Sequence, residues 1–236
     1  MAFQLLSDGS TFAYSNVENP KVCYMHGWGR DSQDFINIIE LFPGIALDLP
    51  GFGKSKSLEN SMSPFEYAVY LNDIIPPEIN TLVGHSFGGR VAVHLSFLRP
   101  INNLVLIGVP LLRNTPKKSF VNKLSIFKNL NKFGLVSSAK VESIKNKTGS
   151  FDYRNSEGVM RETLVKAVND DMEDKLSSIK SNVKLLWGEN DMDVPVTIAE
   201  KSQKLISNSE LTIIPNQGHN MLRSNPNSIF EVLKSL

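Results

Sequence analysis

The sequence predicts an α/β fold in which a mostly parallel β-sheet carries helices on both faces. Short apolar runs that end in Gly, Pro or Asp alternate with amphipathic stretches, which is the pattern of strands connected by helices. The runs NLVLIG at 103–108 and VKLLWG at 183–188 are apolar almost throughout, as strands are when both faces of the sheet are covered. The chain has 236 residues, 41% of them hydrophobic, so a single core with an insertion is expected.

Six strands and five helices follow from this alternation. We predict strands at Val22–His26, Ile45–Leu49, Thr81–Gly84, Leu104–Gly108, Val183–Trp187 and Leu211–Ile214. We predict helices at Ser32–Leu41, Pro64–Ile74, Phe87–Leu98, Val196–Ile206 and Pro226–Leu236. Residues 3–15 place an Asp-Gly turn between two short runs, which predicts an antiparallel hairpin at the edge of the sheet.

The alternation of strands and helices stops between residues 111 and 178. Phe120, Leu124 and Phe127 follow a helical period there, and no run is typical of a strand. We therefore predict an α/β core formed by residues 1–110 and 179–236, and a helical cap, or lid, formed by residues 111–178. Open α/β sheets bind ligands at the carboxyl ends of their strands, so the cap is expected to cover that edge.

Composition narrows the function classes. A net charge of +1 and a pI near 7.8 give no overall attraction to nucleic acid. No apolar run approaches the roughly 18 residues of a membrane span, and the first residues lack the basic and apolar regions of a signal peptide. A cytoplasmic protein with no transmembrane segment is therefore expected. The single cysteine, Cys23, lies in an apolar run and is expected to be an unreactive core thiol.

Ser86 is the candidate nucleophile. It lies in the G-x-S-x-G pattern Gly84-His85-Ser86-Phe87-Gly88, directly after one predicted strand and directly before a predicted helix. In this strand-turn-helix context the pattern forms a sharp turn that raises the serine hydroxyl above the sheet. The two glycines leave room where a Cβ would collide with the flanking elements.

A serine hydroxyl needs a neighbouring base to become a nucleophile at neutral pH. His219 is the candidate, because it follows the last predicted strand in a loop at the edge where catalytic residues collect. We expect His94 to be an ordinary helix residue and His85 to point away from the serine. His26 is expected to brace its own loop by hydrogen bonds.

The base in turn needs a carboxylate that orients its second ring nitrogen. Glu189, Asp191 and Asp193 all follow the predicted strand at 183–187. Each would preserve the chain order of nucleophile, acid and histidine that accompanies this turn. The pattern of residues thus leaves three candidates, of which Glu189 is most typical of a solvated loop carboxylate.

Two backbone amides are expected to stabilise a developing oxyanion. One belongs to the residue after the nucleophile and the other to the loop after an earlier strand. These positions are Phe87 and Trp28, and the glycines on either side of Trp28, Gly27 and Gly29, allow the loop to approach closely.

No cofactor or metal site is expected. The chain contains no cluster of His, Cys and carboxylates with the spacing of metal ligands. The glycine-rich stretch at 51–55, GFGKS, lacks the four-residue spacer of a phosphate-binding loop, so we interpret it as a turn that forms part of the pocket floor and packs near His26.

These motifs together resemble the α/β-hydrolase superfamily. They are HGWG at 26–29, DLPGFGKS at 48–55, GHSFGG at 84–89, WGEND at 187–191 and GH at 218–219, and they span nearly the whole chain outside the cap. The resemblance favours Asp191 as the acid, since G-x-x-D-x-x-x-P at 188–195 is similar to the acid loop of the family. HGWG followed by DLPGFGKS looks most like the pimeloyl-acyl-carrier-protein methyl ester esterases, in which Trp precedes the nucleophile where this chain has His85.

The resemblance implies a carboxylesterase with an acyl-enzyme intermediate and a small-molecule ester substrate. Other acyl hydrolases, carbon-carbon bond hydrolases and acyltransferases share these residues, and a non-catalytic small-molecule receptor of the same fold is a further alternative.

The first part of the cap is strongly basic, with nine cations and one acid, Glu142, between residues 111 and 150. The cations are Arg113, Lys117, Lys118, Lys123, Lys128, Lys132, Lys140, Lys145 and Lys147. They form either a solvated outer face or a docking surface for an acidic acyl-carrier protein or an anionic membrane surface.

Overall fold

A computed structural model describes residues 2–113 and 150–236 and contains one eight-stranded sheet in the order β1-β2-β4-β3-β5-β6-β7-β8. The strands are β1 (Ala2–Leu5), β2 (Phe12–Ser15), β3 (Val22–Met25), β4 (Ile45–Leu47), β5 (Thr81–His85), β6 (Asn103–Ile107), β7 (Asn182–Gly188) and β8 (Ser209–Ile214). Strands β3 to β8 pair in parallel, and only the pairs that involve β2 are antiparallel. The predicted mostly parallel α/β sheet is confirmed.

The first two strands form the predicted hairpin at the edge of the sheet. Leu5 pairs with Phe12, and Gly9 in the turn has φ +64°, which favours glycine. The Asp8 carboxylate accepts hydrogen bonds from the amides of Ser10 and Thr11, so the turn is closed by a side chain as well as by the backbone.

Helices cover both faces of the sheet. They are α1 (Ile36–Leu41), α2 (Pro64–Ile74), α3 (Phe87–Leu95), α4 (Phe151–Asn155), α5 (Gly158–Asn169), α6 (Glu173–Leu176), α7 (Val196–Leu205), α8 (Met221–Ser224) and α9 (Pro226–Lys234). Along β3, Cys23 and Met25 belong to a core cluster shared with α2, α3 and α7, whereas Tyr24 belongs to a second cluster shared with α1 and α9. The sheet is therefore the middle layer of three.

Two predicted helices differ from the observed ones by three or more residues at one end. The helix predicted at 32–41 begins with a 3₁₀ turn, Ser32–Phe35, before α1 starts. Helix α3 ends at Leu95, three residues before the predicted end, and the Leu98 amide donates to the Leu95 carbonyl in a tighter turn. Pro100 explains the early end, because the residue before a proline is disfavoured in the helical conformation.

Of the predicted cap, the structure describes residues 111–113 and 150–178. The helical period at Phe120, Leu124 and Phe127 and the eight lysines of the basic stretch at 111–150 lie outside the described residues. Helices α4, α5 and α6 occupy the second half of the range, and Lys166 of α5 donates to the Ser61 carbonyl of the core at 2.6 Å. The division of the chain into core and cap stays a prediction. In residues 2–113 and 150–236, none of the helices combines the length and apolar character that crossing a bilayer requires.

Glycines bring α3 close to the sheet at the end of β5. A Cβ on Gly84 would lie 2.4 Å from the Cα of Gly89, and a Cβ on Gly88 would lie 2.3 Å from the carbonyl oxygen of Met25 in β3. Both distances are shorter than atoms tolerate, so the start of α3 rests directly on backbone. This close approach fixes the height of the residue that joins β5 to α3.

The contact at Gly88 gives a prediction about stability. Gly88→Ala forces the start of α3 away from β3 and should lower the free energy of unfolding by about 2 to 3 kcal/mol, as overpacking does. Gly218→Ala is the matched control, since its nearest neighbour would be the Asn190 carbonyl oxygen at 3.7 Å, an ordinary contact. The control should stay within about 0.5 kcal/mol of wild type in urea unfolding. Equal stability of the two variants would contradict the close approach.

Candidate active site

Ser86 occupies the sharp turn between β5 and α3. Its φ of 49° lies in the left-handed region, which few residues other than glycine adopt. The turn is held by the Ser86 amide, which donates to the Ile107 carbonyl at 2.9 Å, and by the Gly88 amide, which donates to the His26 carbonyl at 3.0 Å. Strain of this kind persists only where the surroundings enforce it, and it concentrates at functional sites.

His219 and Asp191 are hydrogen-bonded to each other. His219 Nδ1 lies 2.8 Å from Asp191 Oδ2, and the Asp191 side chain is completely buried. The other oxygen of Asp191 accepts from the amides of Asp193 at 3.0 Å and Val194 at 2.7 Å. Gly108, with φ +55°, lies beneath the pair, because a Cβ there would be 3.1 Å from His219 Nδ1. The carboxylate is thus fixed by two amides and oriented toward one ring nitrogen.

Ser86 and His219 line the same cavity, which has a volume of about 1140 Å³. Within the described residues no hydrogen bond joins the two side chains. In enzymes without substrate such contacts are often long and shorten only when substrate binds. The cavity wall is more apolar than polar, and its large apolar side chains include Trp28, Phe52, Phe87, Met160, Leu164 and Ile198. Such a cavity suits a substrate with an apolar acyl or alcohol group.

The other two acid candidates have different surroundings. Asp193 is exposed at the cavity, and Glu189 is an exposed loop residue whose Oε2 accepts from the Asn216 amide at 3.1 Å. Ligand-type atoms of Asp191, Asp193 and His219 come within 4.8 Å of one another, a grouping that the sequence did not indicate. The Asp191 carboxylate and His219 Nδ1 already bond to each other, so this grouping is accounted for by a carboxylate–imidazole pair.

Trp28 and Phe87, the predicted oxyanion residues, lie together beside Ser86. Their rings meet edge to face with centroids 5.3 Å apart, and both residues line the cavity. In the described part of the chain, neither backbone amide donates a hydrogen bond to another residue. Two unused amides beside a candidate nucleophile can bind an oxyanion.

His26 braces its loop as predicted. Its Nδ1 lies 2.7 Å from the Gly27 carbonyl, and its Nε2 accepts from the Leu49 amide at 3.0 Å. Burial lowers the pKa of His26, so the ring is neutral and fits one donor and one acceptor. The ring of Phe52 packs against His26 with centroids 5.4 Å apart, which confirms that the glycine-rich turn at 51–55 packs near His26 and forms part of the cavity wall.

An ion cluster around the buried Asp34 carboxylate joins the loop of Trp28 to the loop of His219. Asp34 accepts from Arg30 Nε at 2.7 Å and Nη2 at 2.6 Å, and from Arg223 Nε of α8 at 2.8 Å. Burial would raise the pKa of Asp34, but the hydrogen bonds from the two arginines outweigh it and hold the pKa below its ordinary value. The sequence analysis missed this cluster, because charged residues 189 positions apart give no local pattern.

Two further contacts of the site were also missed. The indole nitrogen of Trp28 donates to Ser156 Oγ at 3.3 Å, so the residue between α4 and α5 contacts the predicted oxyanion loop. Asp152 of α4 lines the cavity, and burial, together with the nearby Asp193 carboxylate, raises its pKa. Both residues belong to the predicted cap, whose sequence carries no motif.

Comparison with known proteins gives the family of the chain. The family model described as "Alpha/beta hydrolase family" matches residues 24–232 of the chain. The chain belongs to the α/β hydrolase family. As in the family pattern, Ser86, Asp191 and His219 follow β5, β7 and β8 in that order.

Several members of the α/β hydrolase family are similar in sequence or structure. The pimeloyl-acyl-carrier-protein methyl ester esterase of Pseudoalteromonas atlantica is 25% identical over 230 residues, covering 85% of this chain and 87% of the relative. The 2-hydroxy-6-oxononadienedioate/2-hydroxy-6-oxononatrienedioate hydrolase of Escherichia coli is 27% identical over 218 residues, covering 82% and 76%. The solved structure of a thermophilic esterase superimposes with a TM-score of 0.73 at 24% identity, covering 99% of this chain and 95% of that one.

The Asp34 cluster gives a prediction about pH. Because the folded pKa of Asp34 is lowered, its contribution to stability is full above the unfolded pKa near 3.9 and is lost as the pH falls through the folded value. Asp34→Asn should therefore lower the free energy of unfolding at pH 7 by about 1 to 3 kcal/mol, and the difference from wild type should narrow below about pH 4. Asp73→Asn, an exposed carboxylate of α2, is the control and should show neither effect. A difference that is constant from pH 7 to pH 3 would contradict the assignment.

Proposed function

We propose that this α/β hydrolase cleaves carboxylic esters through an acyl-enzyme formed on Ser86. The observation that carries the proposal is the grouping of a strained serine, an imidazole bonded to a buried carboxylate and two unused amides around one apolar cavity. Family membership and the esterases among the relatives support it.

Each residue has a stated part in the proposed reaction. Ser86 Oγ attacks the ester carbonyl while His219 Nε2 takes its proton, and the Asp191 carboxylate holds the Nδ1–H and stabilises the imidazolium. The amides of Trp28 and Phe87 donate to the oxyanion of the tetrahedral intermediate. His219 then protonates the leaving alcohol, and a water activated by the same base hydrolyses the acyl-enzyme. The steps balance without a cofactor.

The cap is part of the proposed active site. We assign residues 111–178 to the cap, because Asp152, Met160 and Leu164 of this range line the cavity together with residues from the sheet edge. Water exclusion by such a cover strengthens the electrostatic interactions of the site.

Carbon-carbon bond hydrolysis is a second candidate within the same fold. The Escherichia coli relative named above supports it at 27% identity. Assays with a dienedioate substrate distinguish ester hydrolysis from carbon-carbon bond hydrolysis. An esterase turns over p-nitrophenyl and methyl esters and leaves the dienedioate unchanged.

The triad assignment predicts large losses of activity. Ser86→Ala and His219→Ala should each lower kcat/KM for p-nitrophenyl butyrate by a factor on the order of 10⁴ to 10⁶, and Asp191→Asn by roughly 10⁴, because the three act as a unit. A fluorophosphonate probe should label wild type and leave Ser86→Ala unlabelled.

Asp193→Asn is the matched control for the acid, since Asp193 is exposed and two residues away. It should retain activity within about tenfold of wild type. An inactive Asp193→Asn beside an active Asp191→Asn would move the acid to Asp193. Activity that disappears after dialysis against EDTA and returns with a divalent cation would contradict a cofactor-free reaction.

A narrower form of the proposal concerns the substrate. We propose that the acyl group arrives on an acidic acyl-carrier protein as a methyl ester. The Pseudoalteromonas relative supports this, as do the nine cations between residues 111 and 150, of which only Arg113 lies in the described residues. Clustered charge steers a partner of opposite charge.

Carrier docking predicts a dependence on salt that is confined to one substrate. Charge reversal of Lys117, Lys118, Lys123 and Lys128 to Glu should lower kcat/KM for the carrier-bound ester at least about tenfold. Hydrolysis of p-nitrophenyl butyrate should scarcely change. The wild-type rate on the carrier-bound ester should fall as added salt shortens the Debye length toward about 8 Å.

A charge-matched control reverses four exposed lysines of the core, Lys21, Lys180, Lys201 and Lys204. It should leave both rates near wild type. Equal loss on both substrates, or equal loss in both quadruple variants, would exclude docking at the cap.

A further inference from the structure

His85 lies between the two loops that complete the proposed active site. It is the last residue of β5, directly before Ser86, and is only 3% exposed. From the sequence we expected its ring to point away from the serine. The ring lies against His219, with centroids 4.8 Å apart.

The ring of His85 contacts both neighbouring loops. Its Nε2 lies 2.9 Å from the backbone carbonyl oxygen of His219. On the other side, a Cβ on Gly27 would lie 2.8 Å from His85 Nδ1, so the ring packs against the bare Cα of the residue before Trp28. One side chain therefore joins the loop of the proposed base to the loop of the proposed oxyanion hole.

The partners of His85 define its protonation. A carbonyl oxygen only accepts, so the hydrogen must be on Nε2. Burial, and secondarily the neighbouring His219, lower the pKa of His85 to about 3, so the ring is neutral wherever an ordinary imidazole base functions. Nδ1 is then a bare acceptor, and it is the buried side-chain atom that finds no hydrogen-bond partner among the described residues.

An unpaired buried acceptor is unfavourable and calls for an explanation. A hydrophobic ring of similar size would fill the space without that penalty, but it could not donate to the His219 carbonyl. A lysine or arginine could donate, but its charge would oppose formation of the His219 imidazolium. A neutral imidazole of this tautomer provides a donor, a flat ring and no charge.

We infer that His85 is a positioning residue that holds the main chain of His219 at the height required for proton transfer with Ser86. Asp191 orients the ring of His219, and His85 fixes the backbone that carries the ring. The inference rests on the triad proposed above. His85 also lines the cavity, but its proposed role is to hold this stretch of backbone and involves no proton transfer.

Two amide variants of the full chain test the inference. In His85→Gln the longer side chain presents an N–H near the position of Nε2, whereas in His85→Asn the amide falls short of the His219 carbonyl. His85→Asn should lower kcat for p-nitrophenyl butyrate, and the rate of Ser86 labelling by a fluorophosphonate, by about 10- to 100-fold, since small displacements of catalytic groups have effects of that size. KM should stay within about twofold, and His85→Gln should recover most of the loss.

The pH profile separates positioning from catalysis. The acidic limb of kcat/KM should report one proton in wild type and in both variants, because the proposed mechanism uses a single general base and burial holds the pKa of His85 at about 3. His94→Gln is the control for the loss of a buried imidazole. His94 Nε2 lies 2.9 Å from Asp170 Oδ2, and neither residue belongs to the proposed triad. The labelling rate of this control should match wild type when urea unfolding shows that all variants are folded.

Nitrogen-15 NMR of histidine-labelled wild type keeps the inference testable if His85→Asn fails to fold. The spectrum should show His85 protonated at Nε2 and not at Nδ1, unchanged from pH 5 to pH 8. In the spectra, titration of His85 in this range or a proton on Nδ1 would overturn the inference. In the kinetic tests, wild-type labelling in His85→Asn or equal loss in the Asn and Gln variants would also overturn it. If Ser86→Ala retains turnover, the proposed function itself fails; if Ser86→Ala is inactive and His85→Asn is fully active, only the role of His85 fails.

Discussion

The close approach of α3 to the backbone of β3 is the constraint on which the rest of the site depends. Only glycine fits at Gly88, where the carbonyl oxygen of Met25 is the nearest neighbour, and this contact places the start of the helix directly over the sheet. Ser86 must then join β5 to α3 in a left-handed conformation. The strain is sustained by the packing on both sides. A looser junction would let the serine relax and lower its hydroxyl toward the sheet.

The remaining groups reach the serine because parallel strands deliver their following loops to one edge. Long loops at such an edge need more than their strands to hold them. The His219 loop is held by the Asp191 carboxylate, by the ring of His85 and, through Arg223, by Asp34. Displacement of the loop would therefore disturb its hydrogen bonds to three buried side chains, Asp191, His85 and Asp34. A rigid His219 loop suits a general base that must lie at a defined distance from the serine hydroxyl whose proton it accepts.

The sequence predicted the sheet and the position of Ser86 because glycine spacing and apolar runs are local patterns. It predicted His219 by elimination among four histidines. The positions of the carboxylates alone left three candidate acids, the resemblance to the family favoured Asp191, and Asp191 is the one that bonds to the imidazole. The Asp34 cluster and the contact of Ser156 with Trp28 could not be predicted, because each joins residues more than a hundred positions apart. The contacts of the His85 ring could not be predicted for a related reason, because its neighbours come from the loops that carry His219 and Gly27.

The two tryptophans of the chain occupy opposite environments. Trp28 is partly exposed in the cavity, between Phe52 and Phe87. Trp187 is completely buried, and its indole nitrogen donates to the Val194 carbonyl at 2.8 Å, next to the amide that binds Asp191. Intrinsic fluorescence therefore has two separable sources. The red-shifted, quencher-accessible component comes from Trp28 and reports occupancy of the cavity. The blue-shifted component comes from Trp187 and reports the integrity of the loop that carries Asp191. Ligand binding and local unfolding can therefore be followed in one sample without a label.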